Sequence, residues 1–105
     1  MTDPILSLPA QLERDLLVNT LEQESLFETS QNAHISHGIE SDQLEPYLAA
    51  LGASGLLTLY TYGGLRNDEI IHLPLSLLNT CLTHLAAEVF LSPTDATLSR
   101  LNALS

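Results

Sequence analysis

Lysine and tryptophan are both missing from this 105-residue chain, and cysteine occurs once. Three arginines, Arg14, Arg66 and Arg100, face 13 carboxylates, for a net charge of −10. The shortage of cations excludes the most function classes. A nucleic-acid reader gains affinity by neutralising phosphates and releasing counterions, which takes several Lys or Arg side chains on one face. Three scattered arginines in a negative field do not supply that, so direct nucleic-acid binding is not expected. Docking on an anionic membrane is disfavoured by the same field. With no lysine there is no Schiff base and no phosphate clamp, and neither a P-loop nor a G-x-G-x-x-G fingerprint occurs. The lone Cys81 rules out an internal disulfide and suits a reducing cytoplasm. No apolar run approaches the roughly 18 residues of a transmembrane helix. The opening MTDPILSLPAQLERDLL is acidic, is interrupted by Pro4 and Pro9, and does not read as a secretory signal. A basic protein surface is the macromolecular partner that this charge accommodates.

What is present is leucine. Apolar residues make up 45% of the chain, with a mean hydropathy of +0.16, so the sequence is expected to fold as one α+β domain over residues 1–105. Leu8, Leu12, Leu16, Leu17 and Leu21 recur at helical spacing and predict an N-terminal helix after Pro9, with Glu13, Asp15, Glu22 and Glu24 largely on the opposite side. Leu26–Ser30 reads as a short strand, and residues 31–41 as a polar loop containing Gly38. A short helix is expected over Pro46–Leu51, with Pro46 in its first turn and Gly52 in the left-handed position after its end.

LLTLYTYGGLRNDEIIHLPL then reads as an antiparallel hairpin, with Gly63, Gly64, Asn67 and Asp68 supplying the turn. Alternation puts Leu57 and Leu59 on one face, and Leu56, Tyr60 and Tyr62 on the other with Ile70 and His72. Neither face is polar, so both need cover. One can pack on the protein's own helices. The other, Leu56, Tyr60, Tyr62, Ile70 and His72, is the candidate partner-binding surface, suited to an extended peptide that adds as a strand. Arg66, near the tip, is expected to pair with Asp68 or Glu69.

Leu75, Leu78, Leu82, Leu85 and Val89, spaced 3, 4, 3, 4, predict a long leucine-rich helix that lies in the core or in a homodimer interface. Leu77, Cys81 and Phe90 widen its apolar side. Ser92, Pro93 and Asp95 predict a capped short C-terminal helix carrying Leu98, Leu101 and Leu104.

Chemistry-bearing motifs are few. His34 and His37 form His-x-x-His, and Cys81 and His84 form Cys-x-x-His, which are zinc-ligand types. Two distant pairs need a tertiary coincidence to meet, so no metal and no cofactor is expected. Activation of Cys81 as a nucleophile needs an electropositive setting, and this chain is the opposite. A non-catalytic protein is expected.

The strand, glycine turn and strand, followed by Leu73-Pro74-Leu75 and the Leu78, Leu82, Leu85 pattern, resembles the C-terminal half of class I type III secretion chaperones. That resemblance implies a small cytoplasmic homodimer that holds an extended segment of a secreted effector on its surface, with no catalysis and no cofactor. It also implies several strands between the first two helices, where this chain has only about 20 residues. The same order of elements fits an acidic winged-helix-like regulator or adaptor working through protein contacts, with Arg66 on its wing. A third reading, an inhibitor that mimics nucleic acid, needs ordered rows of carboxylates.

Overall fold

Helix α1 (Ala10–Leu21) follows Pro9 and buries Leu12, Leu16 and Leu17 on one stripe. Its 3.6-residue period is what the leucine spacing dictates. The computed structural model describes residues 9–66 and 68–104. Leu8 and Asn67, assigned above to the first helix face and to the hairpin turn, lie outside the described residues.

The segment expected to be strand and loop is a second helix, α2 (Leu26–His37). Ser25 caps it, its hydroxyl accepting the Glu28 N–H at 3.1 Å, and Gly38 ends it in the left-handed conformation at φ 67°. Both are standard helix-end devices. The strands that the chaperone resemblance implies between the first two helices are therefore replaced by a helix. After a tight turn through Ile39 comes α3 (Ser41–Ala53), longer than the expected Pro46–Leu51 helix. Pro46 sits inside it, not in its first turn, and Leu44, Leu48 and Leu51 face the core. Gly52 is helical. The left-handed glycine is Gly55, at φ 75°. Gly52 serves packing instead, since a Cβ there would meet Leu75 Cδ1 at 2.7 Å.

The hairpin forms as expected. β1 (Leu57–Gly63) pairs antiparallel with β2 (Glu69–Leu73), with Tyr60 opposite His72 and Tyr62 opposite Ile70. The long leucine-rich helix does not form. One 3₁₀ turn over Leu75–Leu77 leads into α4 (Leu78–His84), which stops after seven residues. Leu78 is buried and Leu75 and Leu82 pack against the core, but Leu85 is exposed, and Val89 belongs to a third strand, β3 (Val89–Pro93). β3 pairs with the other side of β1, giving the antiparallel order β2-β1-β3. Ser92 and Pro93 thus end a strand and do not cap a helix. α5 (Thr97–Ala103) starts later, behind a threonine turn in which Thr97 Oγ1 accepts the Thr94 N–H at 2.8 Å and donates to the Leu56 carbonyl at 2.7 Å.

Over the described residues the result is mixed α+β, with five helices and a three-stranded sheet. Leu57, Leu59, Val89 and Leu91 on the inner sheet face meet leucines of α1, α2 and α3 in one core. Glu13, assigned to the wet side of α1, is buried and receives the Arg100 guanidinium of α5 in a two-pronged ion pair. None of the described helices is long and apolar enough to cross a membrane.

Candidate functional site: the outer sheet face and its β2 edge

Strand pairing fixes which side chains share the outer face. Register places Tyr60, Tyr62, Ile70 and His72 together, and adds Phe90 opposite Tyr60 and Ser92 opposite Thr58. Four of the five residues assigned to the partner surface are therefore brought together. The exception is Leu56. It lies in the turn between α3 and β1, where its N–H bonds the Leu51 carbonyl at 2.9 Å and its side chain packs on the core.

Phe90 is the member of this face that sequence reasoning missed, because the leucine spacing carried it into a helix. Val89-Phe90-Leu91, with apolar residues of strand-favouring type ahead of a proline, was the available signal. The three rings form a triangle. Tyr60 and Phe90 stack at 5.4 Å, and Tyr62 stands edge-on to both, each at 5.6 Å. Tyr60 lies beneath this cluster at 4% exposure, whereas Tyr62 is 45% exposed and Ile70 57%. Burial, and secondarily the adjacent Tyr62 phenol, push the Tyr60 hydroxyl above its ordinary value, so it stays neutral in the physiological range. Tyr60 anchors the face, and Tyr62, Ile70 and His72 present it to solvent.

The two edges of the sheet differ. Beyond β3 runs the α1–α2 connection: Ser25 bridges Phe90, and the Leu91 N–H donates to the Glu24 carbonyl at 3.0 Å. Beyond β2 no further strand is present among the described residues. β2 is exposed along Glu69–His72, with Ile70 on one face and Ile71 on the other, at 57% and 43% exposure. An edge strand of this kind carries unpaired backbone N–H and C=O groups, and natural proteins usually blunt such edges with charge, proline or cover. Here Asp68 and Pro74 flank it, Glu69 begins it, and Ile70 and Ile71 follow. Arg66 makes no ion pair with either acid within 4 Å among the described residues, contrary to expectation.

The candidate metal pairs point elsewhere. His37 Nε2 lies 2.7 Å from Asp15 Oδ2, tying α2 to α1, and His34 lies 3.3 Å from Glu40. Cys81 is buried, and burial pushes its thiol above the ordinary value, which disfavours the thiolate. Among the described residues no group of three or more His, Cys, Asp or Glu side chains is arranged to hold a metal ion.

No protein-family model, no curated protein and no solved structure matches this chain.

Proposed function

We propose that this protein is a non-catalytic binding factor that takes an extended segment of a partner protein as a further strand along β2, in the manner of a small acidic cytoplasmic secretion chaperone. The observation that carries this reading is the asymmetry of the sheet. β3 is closed off by Ser25 and Glu24, whereas β2 is open and carries exposed Ile70 and Ile71. Strand addition draws affinity from main-chain hydrogen bonds and selectivity from alternate side chains. A second copy can use the same edge, so a homodimer through β2 belongs to the same proposal.

The test is a displayed library of extended peptides selected on the purified protein, followed by hydrogen exchange on the complex. Selected peptides should slow exchange at residues 69–73. Ile70→Asp should weaken them by roughly 5- to 150-fold, the cost of placing a carboxylate against an apolar contact being on the order of 1–3 kcal/mol. Protection confined to other elements overturns the assignment.

A second reading is favoured by one feature. α2, the Gly38 turn and α3 form a helix pair that leads directly into a hairpin, which is the element order of a winged helix. The exposed first turns of α3 offer Ser41, Asp42, Gln43 and Pro46, and no cation for a phosphate. In this reading the protein is an adaptor that acts through protein contacts, and peptide protection would fall on α3.

A further inference from the structure

At the corner of the sheet where β1 ends beside β3, Thr61, Tyr62, Ala87, Glu88 and Phe90 line a shallow pocket of about 320 Å³. Two of its walls are aromatic and set at 69° to one another, Tyr62 half-exposed and Phe90 half-buried. The carboxylate comes from Glu88. Its backbone is fixed beside the rings from both sides, its N–H bonding the Leu85 carbonyl at 2.9 Å and its own carbonyl accepting the Thr61 hydroxyl at 2.6 Å. Its side chain has no hydrogen-bond or ion-pair partner among the described residues. The chain's own arginines do not serve this corner: Arg100 is engaged with Glu13, Arg14 lies on α1, and Arg66, in the hairpin turn, makes no ion pair with Glu88 among the described residues.

We propose that this corner binds an arginine side chain of the partner protein, the guanidinium lying on the Tyr62 and Phe90 rings and donating to the Glu88 carboxylate. A cation within about 6 Å of an aromatic centroid is attracted by the ring quadrupole. A guanidinium is favoured over an ammonium because it is planar, less strongly hydrated, and able to stack on a ring while its edge donates to a carboxylate. The net charge of −10 raises the local concentration of such a cation. The inference rests on the reading that the sheet meets a partner protein, and it specifies the partner's chemistry. The occupant comes from a different part of the partner than the strand added to β2, because that added strand stands three strand spacings from β3, about 14 Å.

The test needs no partner. N-acetyl-arginine methylamide is titrated into isotope-labelled protein and followed by NMR, with the citrulline and lysine analogues as probes of charge and shape. Saturable shifts should concentrate at residues 61–62 and 87–90 and vanish with citrulline. They should weaken about three- to tenfold in Glu88→Gln and in Tyr62→Leu, while Glu22→Gln leaves them unchanged. Shifts spread over the other carboxylates, or insensitivity to Glu88→Gln, overturn the site. Equal affinity for the lysine analogue overturns the guanidinium assignment. Protection at residues 69–73 by a selected peptide reads the β2 edge alone, so the two proposals fail separately.

Discussion

Removing Arg100 should destabilise the protein far more than removing its partner Glu13. The guanidinium Nε and Nη2 donate to the two oxygens of the Glu13 carboxylate, the second at 2.9 Å, and this contact joins α5 to α1. The carboxylate raises the Arg100 pKa further above its already high value, so the guanidinium stays charged. Exposure differs across the pair: the Glu13 side chain is 7% exposed and that of Arg100 45%. In Arg100→Ala a charge is left in a dry place. Breaking a fully buried pair costs about 3–5 kcal/mol, and an exposed pair contributes about 0–1 kcal/mol. A pair wet on one side falls between, at roughly 2–3 kcal/mol. In Glu13→Leu the guanidinium that remains can turn to water, so the loss should be about 0–1 kcal/mol. For a domain near this size 1 kcal/mol moves Tm by about 4–8 °C, so Arg100→Ala should melt roughly 8–24 °C lower. Urea unfolding at neutral pH measures both variants, and equal m-values would show that the difference lies in stability. Adding Glu13→Leu to Arg100→Ala should restore most of the loss. Equal destabilisation by the two single variants, or a larger effect of Glu13→Leu, refutes the reasoning.

Two further outcomes are accessible to the same measurements. Thr97→Val keeps the shape of a fully buried side chain but strips the Leu56 carbonyl and the Thr94 N–H of their partner, and should cost about 1–3 kcal/mol by urea unfolding. Glu24 has a pKa raised first by a hydrogen bond to the Glu28 carboxylate and next by slight burial. An acid whose pKa is raised by folding binds more protons folded than unfolded, so its contribution to stability falls as pH rises through those values. Glu24→Gln should therefore flatten the stability profile across the carboxylate range, with the variant gaining on the wild type as pH rises, and a thermal-melt series against pH that shows the opposite slope would sink this account.

Much of the candidate site was legible because a strand's period is short and unambiguous. Tyr60, Tyr62, Ile70 and His72 fall on one face by alternation alone, and the register confirms it. Helix α1 was equally plain from its leucines. Two elements were not. α2 has a weak apolar stripe, and its Gln31, Asn32 and His34 read as loop, although Ser25, Glu28 and Gly38 marked its ends. Tertiary packing of Leu26, Thr29 and Ala33 is what makes it a helix. In the leucine-rich segment the 3, 4 spacing ran across two structures: Leu78 packs from a helix and Val89 from a strand, and both reach the same core from different backbones. Spacing records which residues are buried, and cannot tell one period from two short pieces laid end to end. Leu56 was misplaced because a strand boundary one residue late moves a side chain out of the alternation altogether.

That β3 follows the hairpin it pairs with has a consequence for biosynthesis. Until residues 89–93 have left the ribosome, the hairpin emerges with both of its long sides bare, and α1 has no Arg100 to receive its buried carboxylate. Every nascent copy thus passes through an interval in which apolar strands are available to neighbours on the same message, and release from that interval waits for β3 to pair.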